Sequence, residues 1–260
     1  MNQARLLTFV LLLFFVPVAR AQWVNGQDAY GVIGQSNFMS NTNATSSTGI
    51  GGALMMIVDT AAGKVFVADY GNNRILRFSS LTAAAAGSSA EVVFGQTSFT
   101  TKVAATTQSG LNHPYSISID SAGNLWVADY TNNRVIRYPG ADTVTTSGEA
   151  ANLVLGQSNF TTLTIGTASN KLHSPVSVQV SGNSLWVTDR LNDRVLRFDN
   201  IDTMHTNGDP AIVQLGITGT AAASQNTFSG PWQVFVDASN IYGYPTFPIT
   251  EYLNLLMQQL

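Results

Sequence analysis

Cysteine is absent from all 260 residues, so disulfides, thiolate chemistry and the common cysteine-bearing zinc sites are closed to this chain. Burial alone must hold it together. Charge is sparse as well: Asp, Glu, Lys and Arg make up 10% of the sequence, against about 25% in ordinary globular proteins. The 12 basic residues stand against 15 acidic ones. With no basic surplus to neutralise phosphates, the composition argues against a nucleic-acid partner. Histidines number three, His113, His173 and His205, and none falls in a His-x-x-His or His-Glu-x-x-His spacing. Gly-x-Ser-x-Gly elbows, phosphate loops and dinucleotide fingerprints are missing too.

Long apolar runs are also lacking. The longest, Leu6 to Val18, has 13 residues, short of the roughly 18 to 20 that a spanning helix needs. One basic residue, Arg5, precedes it, and the small-x-small triplet Ala19-Arg20-Ala21 follows. That is the pattern of a secretory signal peptide, residues 1–21, with cleavage before Gln22. The expected product is secreted, extracellular or periplasmic, and has no membrane span. It would carry 239 residues, and loss of Arg5 and Arg20 would leave 10 basic against 15 acidic residues, a net charge of −5.

What the chain has instead is a repeat. "KVFVADYGNNRILRF" (64–78), "NLWVADYTNNRVIRY" (124–138) and "SLWVTDRLNDRVLRF" (184–198) place Asp69, Asp129 and Asp189 at intervals of 60. A second signature runs out of phase with the first: "GVIGQSNF" (31), "VVFGQTSF" (92), "LVLGQSNF" (153) and a decayed "VQLGITGT" (213). Its glycines, Gly34, Gly95, Gly156 and Gly216, are 61, 61 and 60 apart. Gly87, Gly148 and Gly208 stand eight residues before the last three. Three independent marks share one period.

Each period holds four strand-like runs, in the second copy 115–120, 124–129, 134–138 and 152–156, punctuated by turns at 121–124 and 130–133. The second run is apolar at consecutive positions, Leu125, Trp126, Val127 and Ala128, so both of its faces must be buried. Four-stranded antiparallel units covered on both faces are blades, and the fold class expected is all-β, a β-propeller.

The stretch from Pro114 to Tyr138, P-x-S-I-x-I-D-S-A-G-N-L-W-V-A-D-Y-T-N-N-R-V-I-R-Y, resembles the NHL repeat. The third copy departs from that pattern at Thr188 and Asp193, and the first has Ala53 where the others have Pro114, Pro175 and Pro231. The added V-L-G-Q-S-N-F element resembles a bacterial exported subgroup of the family. The resemblance covers residues 30 to 240 and implies about six blades, which at this period needs on the order of 360 residues. Three complete blades (53–95, 112–156, 173–216) and the first strand of a fourth, 232–237, are expected in a ring left incomplete. Residues 51–240 are the propeller segment. Residues 22–50 are expected to supply a closing outer strand at Ala29–Gly34 and a loop.

The Asp-x-x-Asn-Asn-Arg element could be an acid/base beside an anion-binding arginine. Its recurrence argues instead for a clasp that serves each blade: Asp69, Asn73 and Arg74; Asp129, Asn133 and Arg134; Asp189, Asp193 and Arg194. Six of the ten basic residues beyond the leader are the pairs Arg74/Arg77, Arg134/Arg137 and Arg194/Arg197. A binding site should break the repeat symmetry. The candidates at the mouth of the channel are therefore His113, His173, Tyr115, Arg190 (which replaces Tyr70 and Tyr130) and Gln233.

No cofactor is expected. Zinc at His113 and His173, or Ca²⁺ in the acidic loop 199–209, would be the exceptions, although that loop lacks the alternating oxygen spacing of an EF-hand. Asp59, Asp120 and Asp237 read as turn formers, and Phe38, Phe99 and Phe160 as covers of a blade edge. Asn43-Ala-Thr and Asn159-Phe-Thr are glycosylation sequons that matter only in a eukaryotic source. The function expected is a binding scaffold for a protein or carbohydrate ligand. The alternatives are a metal-dependent lyase or hydrolase at the channel mouth, and a truncated, non-functional fragment.

After Asn240 the repeat stops, and Ile249 to Leu260 has helical spacing. Back-translated with free synonymous codons and read two bases later, the segment from Ile241 spells Ile-Trp-Val-Ser-Asp-Phe-Ser-Asp-Asn-Arg-Val-Leu. That is a fourth copy of the clasp, so 241–260 is expected to be a frameshifted tail. The DNA of the locus is expected to carry codons compatible with that second frame, followed by further blades. Codons incompatible with it would end the idea.

Overall fold

Short runs of β-branched, aromatic and aliphatic residues, broken by Gly, Asn, Asp and Pro, favour strands joined by tight turns. The computed structural model describes residues 26–219 and 227–236, and the backbone of 241–244. The chain divides after Tyr30. Residues 26–30 are irregular, and the elements below all belong to the unit that begins at Gly31.

That unit contains three four-stranded antiparallel sheets, each a meander in chain order. The first is β1 (Ala53–Val58), β2 (Val65–Asp69), β3 (Arg74–Phe78) and β4 (Val92–Phe94). The second is β5 (Pro114–Ile119), β6 (Leu125–Asp129), β7 (Arg134–Tyr138) and β8 (Leu153–Leu155). The third is β9 (Pro175–Ser181), β10 (Ser184–Asp189), β11 (Arg194–Asp199) and β12 (Val213–Leu215). A two-stranded start of a fourth follows, β13 (Gln233–Val236) paired with β14 (Ile241–Tyr244). β14 thus takes the second-strand place of a blade. The leader 1–21, Asp237 and residues 245–260 lie outside the described residues.

The registers repeat from sheet to sheet. Asp69 faces Arg74, Asp129 faces Arg134 and Asp189 faces Arg194 across the second hairpin. The first hairpin carries a bulge beside its first residue in all three copies. Asp59 and Asp120 close the first hairpin turn, Asp59 accepting the N–H of Ala61 and Asp120 that of Ala122. Such side-chain to backbone bonds mimic a turn at no cost to the strands.

Side chains alternate across each blade, and both faces are buried. Phe66, Ala68, Ile75 and Phe94 of the first sheet pack on Leu125, Val127, Ile136 and Tyr138 of the second. The opposite face of the second sheet, Trp126, Ala128, Val135 and Leu155, packs on Val178, Leu185, Val187 and Leu196 of the third. Trp186 and Val195 then meet Val234 of the fourth. Each such side chain contributes about 1.5–3 kcal/mol by leaving water, which accounts for the consecutive apolar residues of every second strand. The first strands β1, β5, β9 and β13 lie side by side at the blade interfaces. No ladder joins them, and serines bridge instead: Val178 N donates to Ser116 Oγ at 3.2 Å and Val180 N to Ser118 Oγ at 3.0 Å.

Two expectations need correction. Ala29–Gly34 forms no strand, since a strand needs a partner for its backbone groups and no described strand offers one. Ile33 packs instead on Val65, Val67, Leu76 and Phe78 of the first sheet. Phe38 is 59% exposed and covers no edge, whereas Phe99 and Phe160 pack against the core. Their carbonyls are held by Arg74 and Arg134.

The repeated glycine has a steric cause. Gly156 has φ +83°, and a Cβ there would lie 2.7 Å from Leu172 Cδ1; at Gly95 the neighbour is Leu111 Cδ1, at 2.5 Å. Gly156→Ala is expected to cost about 2–4 kcal/mol in denaturant unfolding, from the left-handed backbone and overpacking together. Gly63→Ala, with a similar φ of +71° but open space around it, should cost only about 1–2 kcal/mol.

Candidate functional site

The Asp-x-x-Asn-Asn-Arg element forms the same knot three times. Asp129 Oδ2 accepts Arg134 Nε at 2.7 Å and Asn132 Nδ2 at 2.8 Å, while Oδ1 accepts Asn112 N at 2.7 Å. Asp69 holds Arg74, Asn72 and Gly51 N, and Asp189 holds Arg194, Asn192 and His173 N, all at 2.7–2.8 Å. Each arginine spends its remaining N–H groups on loop carbonyls, Arg134 on Thr107, Gly110 and Phe160. The three Asp–Arg pairs are 0–1% exposed. Burial pushes the carboxyls of Asp129 and Asp189 upward, and the donors gathered on them oppose it.

The residue after the 3-10 turn ties each blade to the next. Asn73, Asn133 and Asp193 all have left-handed backbones (φ 52–54°). Asn73 Oδ1 accepts His113 N at 2.8 Å, Asn133 Oδ1 accepts Ser174 N at 2.9 Å and Asp193 Oδ1 accepts Gly230 N at 2.7 Å. An acceptor oxygen is all this latch needs, so Asp193 serves in place of the asparagine. The amide of Asn73 also donates to Lys102 O and that of Asn133 to Leu163 O. Arg77 and Arg137 cross the blade interface as well, reaching Ala141 O and Ile201 O. In the added element, Gln96 and Gln157 clamp the following loop: Gln157 donates to Asn133 O and Thr164 O and accepts Thr164 N. Nothing in the strand pattern signals that role for glutamine.

Above the clasp, the residue directly after the buried aspartate differs from blade to blade: Tyr70, Tyr130 and Arg190. All three are half-buried, and the fold draws them together with residues of the incoming loops. Tyr115 lies 5.6 Å from Tyr70, 5.3 Å from Tyr130 and 6.0 Å from Trp232 between ring centroids. His113 stacks on Tyr70 at 4.5 Å, and its Nδ1 is 3.1 Å from Thr131 Oγ1. The Arg190 guanidinium sits 3.9 Å over the Trp232 ring. Four blade copies therefore supply one cluster. Burial, with Tyr70 beside it, pushes the Tyr115 phenol above its ordinary range, against the pull of Arg190, so Tyr115 is a neutral donor at neutral pH.

Of the residues singled out from sequence, the structure brings His113, Tyr115 and Arg190 together. His173 matches Asn112 rather than His113, since each gives its backbone N–H to the clasp aspartate. Gln233 is exposed on β13, and its neighbour Trp232, directly after Pro231 as Tyr115 is after Pro114, takes the cluster position. Adjacent strand residues point to opposite faces, so one residue decides membership. In the acidic loop Asp199 pairs with Arg197 and Ser184, and Asp202 accepts Asn183 Nδ2. Among the described residues no three His, Asp or Glu converge as metal ligands, and no helix is long and apolar enough to cross a membrane.

The blade geometry and the clasp define a class, the β-propellers. Residues 111–138 match the family profile described as NHL repeat, which places one such repeat on the second of the three four-stranded sheets. No curated protein matches the sequence. Among solved structures it is similar to a chain of a nidogen/laminin complex (15% identity, 64% of this chain, 48% of that one, TM-score 0.41). It is also similar to a streptogramin B lyase (14%, 74%, 48%, 0.46) and to hydrazine synthase of Kuenenia stuttgartiensis (8%, 80%, 45%, 0.47). The chain spans about half the length of each.

Removing one partner of a buried pair strands the other charge. Asp129→Ala is therefore expected to lower unfolding stability by about 3–5 kcal/mol. Arg190→Gln, at the half-buried cluster, should change it by no more than about 0.5 kcal/mol. Guanidinium titrations of both variants check the contrast.

Proposed function

We propose that this protein is an exported binding scaffold whose ligand-binding face is the cluster of Tyr70, His113, Tyr115, Tyr130, Arg190 and Trp232. The observation that carries this reading is the contrast between two neighbouring layers. The knot of aspartate, asparagine and arginine (Asp69, Asn72 and Arg74 and their counterparts) is the same in the three described four-stranded blades and is buried. The residues just above it differ between blades, stay partly exposed and converge from four copies. Aromatic rings and arginine are the residue types that dominate binding hot spots. The expected leader at 1–21 supports export, and a bacterial exported subgroup remains the best setting for the added G-Q-S-N-F element.

A metal-dependent lyase or hydrolase gains no support from His113, whose ring is engaged with Tyr70 and Thr131. The whole chain applied to peptide and glycan arrays is expected to yield ligands whose binding falls about tenfold or more in Tyr115→Ala and Trp232→Ala. Ligands indifferent to both substitutions would sink this assignment of the face.

A further inference from the structure

Seven arginines lie among the described residues, and six have a polar partner. Arg74, Arg134 and Arg194 are held by the clasp aspartates. Arg77 pairs with Glu91, Arg197 pairs with Asp199, and Arg137 donates to Asn152 and Ile201. Arg190 alone makes no side-chain hydrogen bond or ion pair among these residues, and its Nε is shielded from water without an acceptor. In a chain this poor in charge, with acidic residues in excess, a cation left unpaired in the one cluster that breaks the repeat is the exception.

Its geometry leaves a defined capacity. The guanidinium carbon sits 3.9 Å over the Trp232 ring, and a guanidinium held against an aromatic face can still donate through its N–H edge. A carboxylate accepts two such parallel N–H groups in one plane. Tyr115 shares the cluster through its ring, 6.0 Å from that of Trp232, and its phenol feels the Arg190 charge. The Trp232 ring, 39% exposed, and the half-buried Tyr70 and Tyr130 offer apolar wall around it.

Resting on the binding-face reading above, we infer that Arg190 is the anchor for a single carboxylate of a peptide ligand, with an apolar or aromatic side chain of that peptide against Tyr115 and Trp232. Peptide is favoured over an acidic polysaccharide because a polyanion needs a row of cations. The cluster has one, on a chain whose net charge is −3. The carboxylate is supplied either by a chain terminus or by an Asp or Glu side chain.

The test uses the whole chain and immobilised peptides in matched pairs, one array with free C-termini and the same sequences as C-terminal amides, each with and without an internal Asp or Glu. Oligogalacturonate serves as the acidic-sugar arm. Peptides bearing a carboxylate are expected to bind at least about tenfold more tightly than their uncharged matches, and Arg190→Gln should abolish that preference, bringing the ratio of charged to uncharged binding to about one. Terminal and side-chain sources separate by which member of each pair carries the preference. Equal binding of charged and uncharged peptides, still lost in Tyr115→Ala, would overturn the carboxylate anchor but leave the binding face standing. Oligogalacturonate binding that depends on Arg190, without peptide binding, overturns the peptide assignment. Absence of any binding that depends on Tyr115 or Trp232 overturns both readings.

Discussion

A buried carboxylate cannot be left alone in a protein interior, and in this fold that requirement organises everything around it. Asp129 satisfies its oxygens with donors from three segments: the third strand through Arg134, the turn through Asn132, and the incoming loop through Asn112 N. Arg134 in turn has N–H groups to place and finds them carbonyls in loops that belong to no ladder. Irregular backbone that runs through a buried site needs such partners. Six of the chain's few charges are thus placed inside, in three buried Asp–Arg pairs that each join several pieces of chain.

The knot fixes each blade internally, and a second set of contacts fixes blade to blade. Left-handed Asn73, Asn133 and Asp193 present an oxygen to the first residue of the next blade. Arg77 and Arg137 reach a carbonyl 64 residues further on. The apolar faces between sheets supply most of the energy, but they are non-directional. The polar latches select the one register in which neighbouring blades meet. Variation at the residue directly after each clasp aspartate, tyrosine, tyrosine and then arginine, changes surface chemistry without touching what holds the blade.

Much of this was legible from the chain alone. The strand runs expected in the second copy, 115–120, 124–129, 134–138 and 152–156, fall within one residue of β5 to β8, because alternation, turn residues and recurrence all mark the same boundaries. Less legible was whatever depended on a partner in another blade. His113 and His173 look alike in sequence beside their prolines, yet one offset of a single residue gives them different tasks. Gln233 looked like a mouth residue, and its neighbour Trp232 is the one that turns inward. Ala29–Gly34 has the composition of a strand but pairs with none of the described strands. Phe38 has the setting of Phe99 and Phe160, but no arginine among the described residues holds its carbonyl as Arg74 and Arg134 hold theirs.

The sequence by itself determined the period, the four strands of each blade, the burial of both faces and the identity of the clasp, since these are set by neighbours close along the chain and repeated three times. Only the tertiary structure decided that Tyr70, His113, Tyr115, Tyr130, Arg190 and Trp232 form one cluster, and that Arg190 is the arginine without a hydrogen-bond or ion-pair partner among the described residues. Those residues are separated by blades, and their meeting depends on how each blade is rotated onto the next. Packing of whole faces and latches some sixty residues apart set that rotation, which no local pattern encodes.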